Sequence, residues 1–163
     1  MREVPLTHGR VALVDDEDYE RVMAAGPWFI AIRGRTTYAA HSTWDGKNRG
    51  TLLMHRLVLD VAPRSGVDHI NMNGLDNRKG NLRLATKSQN GANQPKQRIV
   101  ATSRYKGVSL AARDNRWVAR IGRRRPYIGR FRTEEEAARA YDRAALTRWG
   151  EFAILNFPQG DKS

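Results

Sequence analysis

Every second residue is apolar in the segment 116–122, in the last third of the chain, and arginines lie between them. One side of the alternation holds Trp117, Ala119 and Ile121, and the other holds Arg116, Val118 and Arg120. A period of two residues is typical of a β-strand with one buried face. The segments 105–110 and 126–131 also have strand-like composition, and turn residues separate them from the first segment. The pattern predicts a three-stranded antiparallel sheet.

A helical pattern follows the third predicted strand. Thr133 and Glu136 have the spacing of a capping box, in which two side chains satisfy backbone N–H groups at a helix start. Apolar side chains then recur at intervals of three and four residues, at Ala137, Ala140, Tyr141, Ala144 and Ala145. Small side chains allow a helix to approach a sheet closely. The pattern predicts one helix packed on the sheet over a core of Trp117, Ile121, Ile128 and Phe131.

The first 66 residues show a mixed pattern. Val11–Val14 is strand-like, and the acidic run 15–18 favours a helix start, because the helix dipole stabilises carboxylates there; the predicted helix ends at Ala24 or Ala25. We interpret this run as a solvated helix terminus rather than a metal cluster. The segments 28–32 and 37–40 predict a hairpin around Gly34, and 52–59 predicts a strand end turning into a helix.

The segment 67–93 has a different organisation. A short apolar run, 67–70, precedes a loop rich in Gly, Asn and Asp, and a second apolar run, 82–86, follows it. The polar segment 87–93 then begins a helix. The order of these runs predicts strand, loop, strand and helix start.

The composition restricts the partners of the protein. The chain has 163 residues, a formal net charge of +12 and a pI near 10.8, which favours binding to a polyanion, most simply nucleic acid. An acidic membrane surface is disfavoured, because no stretch has the required apolar helix face. The chain has no Cys, which excludes disulfides and Cys-based zinc sites. No apolar run predicts a signal peptide or a membrane span, so we expect a cytoplasmic protein that is not secreted.

The segment 67–93 resembles the HNH nucleases. The resemblance rests on the order and spacing of Asp68, His69, Asn81 and Asn90, and on the phrases DHI, DNR and NLRLAT. It implies two strands and a helix around one metal ion. The third position of the motif is Asn90 instead of His, and an Asn side chain still offers an oxygen ligand.

The chemistry of phosphodiester hydrolysis suggests a role for each residue. Neutral imidazole takes a proton from water near pH 7, so we expect His69 to be the general base. Asp68 and Asn90 are the expected oxygen ligands of one Mg²⁺ or Mn²⁺ ion. Neighbouring residues on a strand point to opposite faces, so Asp68 and His69 share a site only if the strand ends or distorts there. The resemblance implies that Asn81 holds the loop and orients His69.

Two further residues are candidates for active-site support. Asn77 lies in the loop between the predicted strands, and His55 lies in the segment MHRLVL that commonly precedes the motif in the similar nucleases. For His55, two interpretations remain open. It is either a buried histidine that fixes the helix beside the site, or a residue near the phosphate.

The last third of the chain resembles the plant Apetala-type, or ethylene-response-factor, DNA-binding domain. The phrases YKGV, RWVARI, YIGRF, EEAARAYDRAA and LNFP match it in order. The resemblance implies that the sheet enters the major groove of DNA. The groove-facing residues carried over by position are Lys106, Ser109, Arg116, Arg120, Arg125 and Tyr127. Several positions that hold Arg or Trp in plant members are Ser109, Ala111 and Gly122 here, so the resemblance does not give the base preference.

Charge favours the same interpretation. The residues after Val100 include 14 basic and seven acidic side chains, and 12 of the basic ones are Arg. Arginine binds guanine edges and phosphates through two parallel hydrogen bonds. The basic strand face is therefore predicted to bind DNA, the alternative being a solvated surface.

These observations predict an α+β protein. An HNH nuclease domain with its N-terminal platform spans 1–93, a linker spans 94–103, and a three-stranded antiparallel sheet packed on one helix spans 104–158. The predicted function is that of a site-specific DNA endonuclease of the homing type, from a phage or bacterial host, acting on double-stranded DNA.

The alternative is a DNA-binding regulator with an inactive nuclease half. An RNA-processing nuclease is disfavoured, because A-form RNA hides its major groove from a sheet. The sequence leaves open the choice between nicking and double-strand cleavage, and between a monomer and a dimer.

Overall fold

The computed structural model describes residues 1–62, 64–95, 102–122 and 126–158. The chain divides into two compact units, Met1–Thr86 and Lys87–Ser163. Among the described residues, no helix has the length and apolar character that a membrane crossing requires. Most of the predicted linker and Arg125 lie outside the described residues.

The first unit contains short strands and two helices. Its elements are β1 (Arg2–Pro5), β2 (Val11–Val14), α1 (Asp16–Ala24), β3 (Phe29–Arg33), β4 (Thr36–Trp44), β5 (Arg49–Leu53), α2 (Met54–Leu59), β6 (Val67–His69) and β7 (Leu82–Leu84). The strands form three antiparallel arrangements: β1 with β2, β3 with β4 and β5, and β6 with β7.

One apolar core holds this unit together. It includes Val4, Val14, Val22, Trp28 and Met54, which are all less than 4% exposed. The strand β2 and the helix α1 form where the sequence predicts them, and the β3–β4 hairpin turns at Gly34. Gly34 has a φ of +63°, a left-handed conformation that glycine adopts without a steric penalty. The hairpin is therefore encoded locally.

The second unit begins with α3 (Lys87–Ala92) and continues with β8 (Val108–Ala111), β9 (Arg116–Arg120), β10 (Tyr127–Phe131) and α4 (Glu134–Trp149). The three strands form one antiparallel sheet in the order β10, β9, β8. This confirms the predicted three-stranded sheet followed by one helix. Because α3 belongs to this unit, the division falls one short helix before the predicted domain boundary.

The helix α4 starts at the predicted capping box. The Thr133 hydroxyl accepts from the Glu136 backbone N–H at 3.2 Å, and the Glu136 carboxylate accepts from the Thr133 N–H at 3.2 Å. Ala137 and Ala138 are fully buried and form the core with Val108 and Ala119, against which the predicted core residues Trp117, Ile128 and Phe131 pack. Tyr141 and Ala145 are also buried, whereas Ala144 is half-buried.

The first strand of this sheet starts later than the sequence predicts. The predicted strand covers Tyr105–Leu110, but β8 begins at Val108, after a turn that contains Gly107. Gly107 has a φ of +76°, and a Cβ atom there would lie 2.1 Å from Cδ2 of Tyr141. The backbone therefore approaches the Tyr141 ring closely, and this approach ends the extended conformation that alternation alone favours.

Candidate active site and candidate nucleic-acid interface

The strand pair β6–β7 positions the first two residues of the candidate active site. Asp68 lies opposite Arg83, and His69 lies opposite Leu82. The Asp68 carboxylate accepts from Nε of Arg83 at 3.0 Å and lies 2.9 Å from Nη2 of the same side chain. Side chains alternate along a strand, so Asp68 and His69 emerge on opposite faces. The strand ends at His69, so the requirement that the strand end or distort there, if Asp68 and His69 are to share a site, is met.

His69 is buried, with 6% of its surface exposed. Its Nε2 lies 3.5 Å from Oδ1 of Asn77, a weak hydrogen bond. The Asn77 amide is oriented by its own Nδ2, which donates to the Leu75 carbonyl at 3.1 Å, so the oxygen faces the imidazole. This orientation assigns the proton of a neutral His69 to Nε2 and leaves the lone pair on Nδ1.

Burial lowers the pKa of His69 from its usual value near 6.5, while the hydrogen bond that its Nε2 donates to Asn77 and the carboxylates Asp68 and Asp76 act in the opposite direction. Burial is the largest of these effects, because desolvation penalises the charged imidazolium. His69 is therefore neutral at pH 7. A neutral imidazole is the form that a general base requires.

A hydrogen-bond network fixes the loop between β6 and β7. Asn81 donates from Nδ2 to the Asp76 carbonyl at 2.8 Å, and its Oδ1 accepts from the Asn71 N–H at 3.0 Å. The Asn81 carbonyl also accepts from the N–H of Ile70, the residue after His69, at 2.9 Å. These bonds connect Asn81 to the start and the middle of the loop, and its role in orienting His69 stays a prediction.

Asp76 is the centre of this network, and sequence analysis did not single it out. It is 2% exposed, and its carboxylate accepts from Nε and Nη2 of Arg78, at 2.8 and 2.7 Å, and from Nδ2 of Asn71 at 2.8 Å. The hydrogen bonds from Arg78 hold the pKa of Asp76 below its usual range. The phrase DNR at 76–78 contains both Asp76 and Arg78, and it could have identified this pair from the sequence. The charged pair stabilises the loop that carries Asn77.

The acidic start of α1 also supports the loop. The Asp15 carboxylate accepts from the Lys79 N–H at 2.8 Å, and Nζ of Lys79 lies 3.1 Å from the Asp18 carboxylate. The acids are therefore more than a solvated helix terminus. Three of them, Asp15, Glu17 and Asp18, contact Lys79, a loop residue more than 60 positions later in the sequence.

His55, on α2, packs against His69. The two ring centroids are 5.0 Å apart in an edge-to-face arrangement, and the Tyr38 ring lies 5.6 Å from His55 and 5.8 Å from His69. His55 is 4% exposed, and its Nδ1 has no hydrogen-bond partner among the described residues. This placement matches the interpretation of His55 as a buried histidine beside the site. Tyr38 belongs to β4, outside the motif, and no local pattern identifies it.

The burial of His55 predicts an acid-sensitive fold. Desolvation, with smaller contributions from His69 on β6, Arg56 on α2 and Arg33 on β3, lowers the pKa of His55 to about 3. Between pH 6.5 and 3 the unfolded chain therefore binds a proton at this residue that the folded chain does not bind. Stability rises with pH wherever the unfolded state binds more protons, so it falls as pH falls through this window.

We expect about 1–2 kcal/mol of unfolding free energy from His55 to be lost between pH 7 and pH 5. Urea unfolding of wild type and His55→Phe at both pH values measures this loss. The phenylalanine variant retains a ring but has no titrating group, so its stability should fall less. An identical loss in both proteins would contradict the assignment.

The two predicted metal ligands lie in different units. Asp68 is buried in the first unit, and Asn90 is half-buried on α3 of the second unit. Within the described part of the chain, no cluster of three or more His, Cys, Asp or Glu side chains is arranged to hold a metal ion. A carboxylate and an amide oxygen are nevertheless a donor set suited to a hard divalent cation, which retains several waters.

The outer face of the C-terminal sheet carries four of the six residues predicted to bind DNA. The register pairs Tyr127 with Arg120, and side chains at alternate positions of β9 share a face. Ser109 lies opposite Val118 and therefore belongs to the same face, as does the first residue of β9, Arg116. Arg116 and Arg120 are exposed, and Tyr127 is 59% exposed. The opposite face of the sheet packs on α4.

Lys106 differs from these residues. It lies in the turn before β8, and its ammonium donates to the carbonyl of Ala92 at 2.6 Å and to that of Gln94. Burial lowers its pKa to about 8. The sequence pattern predicts that Lys106 lies on the first strand of the sheet. The turn that contains it depends on the close approach of Gly107 to Tyr141, and such a contact between distant residues leaves no local pattern in the sequence. Its ammonium is engaged within the protein.

Arg130 is a residue of the outer face that sequence analysis did not name. It lies opposite Val118 and forms a salt bridge with Asp114. The arginines of α4 have different surroundings: the Arg139 guanidinium lies 4.6 Å from the centre of the Phe157 ring, and that of Arg148 lies 5.6 Å from the Trp149 ring. Such contacts use arginine to cover aromatic surface.

Comparison with protein families gives two matches, neither of which covers half of the chain. The AP2 domain matches residues 103–151, and the HNH endonuclease family HNH_3 matches residues 62–92. The second match ends at Ala92, the last residue of α3.

Curated relatives match the C-terminal part of the chain. Ethylene-responsive transcription factor WRI1 of Arabidopsis thaliana is 46% identical over 59 residues, which are 34% of this chain and 14% of that protein. AP2-like ethylene-responsive transcription factor PLT2, also of Arabidopsis thaliana, is 49% identical over 59 residues, which are 34% of this chain and 10% of that protein. APETALA2-like protein 2 of Oryza sativa subsp. indica is 47% identical over 60 residues, which are 34% of this chain and 14% of that protein.

The chain therefore spans less than a fifth of the length of these three relatives. The similarity concerns one domain and not the whole proteins. Together with the three-stranded sheet and the capped helix α4, it shows that residues 103–151 form an AP2 domain.

Proposed function

We propose that this protein binds double-stranded DNA through the outer face of the AP2 sheet. The observation that carries the proposal is that Arg116, Arg120 and Tyr127 are exposed on one face of β9 and β10 while the other face packs on α4. The relatives that match this domain are named as transcription factors. The net charge of +12 supports a polyanionic partner.

Selection of bound duplexes from a random DNA library tests this proposal. We expect one enriched sequence, and binding to it should weaken steeply as salt rises, because each neutralised phosphate contributes about −0.9 to the slope of log K against log salt. Binding without any enriched sequence would show that the sheet contacts only the phosphate backbone.

We infer that the protein also cleaves the DNA that it binds, as a site-specific endonuclease of the homing type. The geometry of His69 supports this second function. The side chain is neutral and buried, and Asn77 orients its ring, as a general base requires. The match of residues 62–92 to the HNH endonucleases points to the same chemistry. A DNA-binding regulator without cleavage activity is the alternative function.

In the proposed reaction, His69 removes a proton from water as the water oxygen bonds to a phosphodiester phosphorus and the bond between that phosphorus and the leaving oxygen breaks. Asn81 and the Asp76–Arg78 pair keep the loop rigid, so that Asn77 continues to orient the base. Asp68 and Asn90 are the proposed ligands of a divalent ion such as Mg²⁺. When bound, this ion would stabilise negative charge on the phosphate and the leaving oxygen. The carboxylate of Asp68 is also fixed by Arg83, which limits its movement.

A plasmid-nicking assay distinguishes the two functions. We expect cleavage with Mg²⁺ and none with EDTA, and a map of the cleavage positions should show them beside the selected binding site. Binding to the selected sequence without any cleavage in Mg²⁺ or Mn²⁺ would identify the protein as a regulator. Random cleavage positions would contradict the site-specific activity.

Removing either proposed ligand should raise the metal concentration that cleavage requires. We expect the half-maximal Mg²⁺ concentration to increase at least about tenfold in Asp68→Asn, which replaces an anionic ligand with a neutral amide, and in Asn90→Ala, which removes the amide oxygen. Magnesium titrations of the nicking rate measure this change. Matched controls are Asp60→Asn and Asn48→Ala, which alter exposed residues of the first unit. Titrations identical to wild type in both ligand variants would exclude this metal assignment.

A further inference from the structure

The helix α3 cannot be stable by itself. It is six residues long, whereas isolated helices shorter than about 12–15 residues are marginal in water. Its sequence, KSQNGA, includes a helix-weakening glycine, and Ala92 is its one apolar side chain. The conformation of α3, and with it the position of Asn90, therefore depends on contacts with other parts of the protein.

The AP2 domain and the segment that follows it supply contacts at both ends of α3. The indole Nε1 of Trp149 donates to the Ser88 hydroxyl at 2.9 Å, near the start of α3. At its end, the Ala92 carbonyl accepts from Nζ of Lys106 at 2.6 Å and from the Ile154 N–H at 3.3 Å. The last carbonyls of a helix have no partner within the helix, and a cation there also interacts favourably with the helix dipole.

Trp149 and Lys106, the two AP2 side chains that contact α3, are themselves held in place. Trp149 is 8% exposed at the end of α4. Lys106 is held at its backbone, where its N–H donates to Oδ1 of Asn156 at 2.6 Å and its carbonyl accepts from Nδ2 of the same residue at 3.2 Å. The Asn156 side chain in turn donates to the Asp142 carboxylate at 3.0 Å. The contacts to α3 therefore originate in rigid parts of the domain.

We propose that Lys106 and Trp149 are positioning residues for Asn90, so that the AP2 domain holds an element of the nuclease motif as well as binding DNA. This inference rests on the proposed nuclease function for its catalytic consequence. The holding of α3 by the AP2 domain is independent of that function and is measured separately. It gives Lys106 a role inside the protein, although the AP2 resemblance places it among the groove-facing residues.

Three variants of the full chain test the proposal. Trp149→Phe and Ser88→Ala remove the same hydrogen bond from its two ends, and Lys106→Met keeps an unbranched apolar side chain but removes the ammonium. Alanine is a better helix former than serine, so any loosening of α3 in Ser88→Ala results from the lost bond. Arg113→Met is the matched control, because it removes an exposed positive charge from a turn of the same domain.

The first measurement is backbone hydrogen exchange in α3, made without metal or DNA. We expect the three variants to lose protection of the α3 amides and the control to retain it. The second measurement is the affinity of the DNA-free protein for Mn²⁺, followed by the paramagnetic resonance of the free ion. The dissociation constant should rise about tenfold, as it does when supporting residues behind a metal ligand are removed.

The third measurement is binding to a duplex with the selected sequence, which should stay within about twofold of wild type. Unchanged protection in all three variants would overturn the proposal, and so would lost protection with an unchanged Mn²⁺ affinity. A loss of DNA binding by Lys106→Met but not by Arg113→Met would assign Lys106 to the groove instead. If Trp149→Phe unfolds the domain, the hydrogen exchange and Mn²⁺ affinity of Ser88→Ala test the proposal instead, because Ser88 lies outside the AP2 domain.

The readouts also separate this inference from the proposed nuclease activity. A wild-type protein that never cleaves DNA and never binds Mn²⁺ would remove the nuclease function and the positioning role together. In that case, a loss of α3 protection in the variants would still show that Lys106 and Trp149 hold the helix. A wild-type protein that cleaves, with variants that cleave and bind Mn²⁺ normally, would overturn only the positioning role.

Discussion

Replacing His69 with alanine is expected to lower the rate of DNA cleavage by about 10²–10⁴-fold, the usual contribution of a general base. The structure gives the reason for a large effect. His69 is buried, its pKa is lowered by desolvation, and its ring is oriented by Asn77, so the site provides a neutral imidazole in one orientation. The rate at saturating DNA and Mg²⁺ is the quantity to measure.

Binding to the selected duplex should remain near the wild-type value in His69→Ala, because the proposed DNA-binding face belongs to the AP2 domain. His8→Asn is a suitable control, since His8 is exposed and has a φ of +60°, which asparagine tolerates. Full cleavage activity in His69→Ala would exclude His69 as the base. Equal losses of binding and cleavage would indicate that the substitution disturbs the whole protein.

Local signals in the sequence were sufficient to predict the AP2 domain. In strand β9, Trp117 and Ala119 face α4, and the arginines at both ends are exposed on the other face, so a period of two residues predicts the strand. Val118 departs from the pattern, because it is apolar and buried on the arginine face. The start of α4 was predicted for a similar reason. The Thr133–Glu136 capping box involves residues three positions apart, so no tertiary information is needed to find it.

The surroundings of His69 could be predicted only in part. The motif identified Asn81 and Asn77, which are close to His69 in sequence and hold or orient it through the loop. Tyr38 and His55 contact the same imidazole from β4 and α2. Their contacts join residues 14 to 31 positions apart, and packing between distant elements leaves no local periodicity that a sequence pattern could show.

The sequence also did not predict that α3 belongs to the second unit. Its six residues are mostly polar, and their composition favours the end of a domain or a linker. The predicted boundary at 94–103 implies that a chain ending at Val100 retains the chemistry. The bonds from Trp149 and Lys106 to α3 give the opposite expectation, because truncation removes the contacts that a short helix requires.

Replacing Arg120 with alanine should weaken binding to the selected sequence by about 1–3 kcal/mol, which is about 5–150-fold, and relax the preference at one base pair. Arg120 is exposed on the outer face of the sheet beside Tyr127, and its neighbour Ala119 is fully buried on the opposite face. A side chain that reads a base edge loses two hydrogen bonds to that base on truncation. Fluorescence anisotropy on duplexes with single substitutions measures both effects.

The salt dependence separates a base contact from a phosphate contact. Replacing an arginine that contacts only phosphate should reduce the slope of log K against log salt by about 0.9, and it should weaken binding to all sequences alike. Arg143→Ala is the matched control, because Arg143 is exposed on α4, and α4 packs on the face of the sheet opposite to Arg120. We expect its affinity to stay within about twofold of wild type. A larger loss in Arg143→Ala than in Arg120→Ala would show that the helix, and not the outer face of the sheet, contacts DNA.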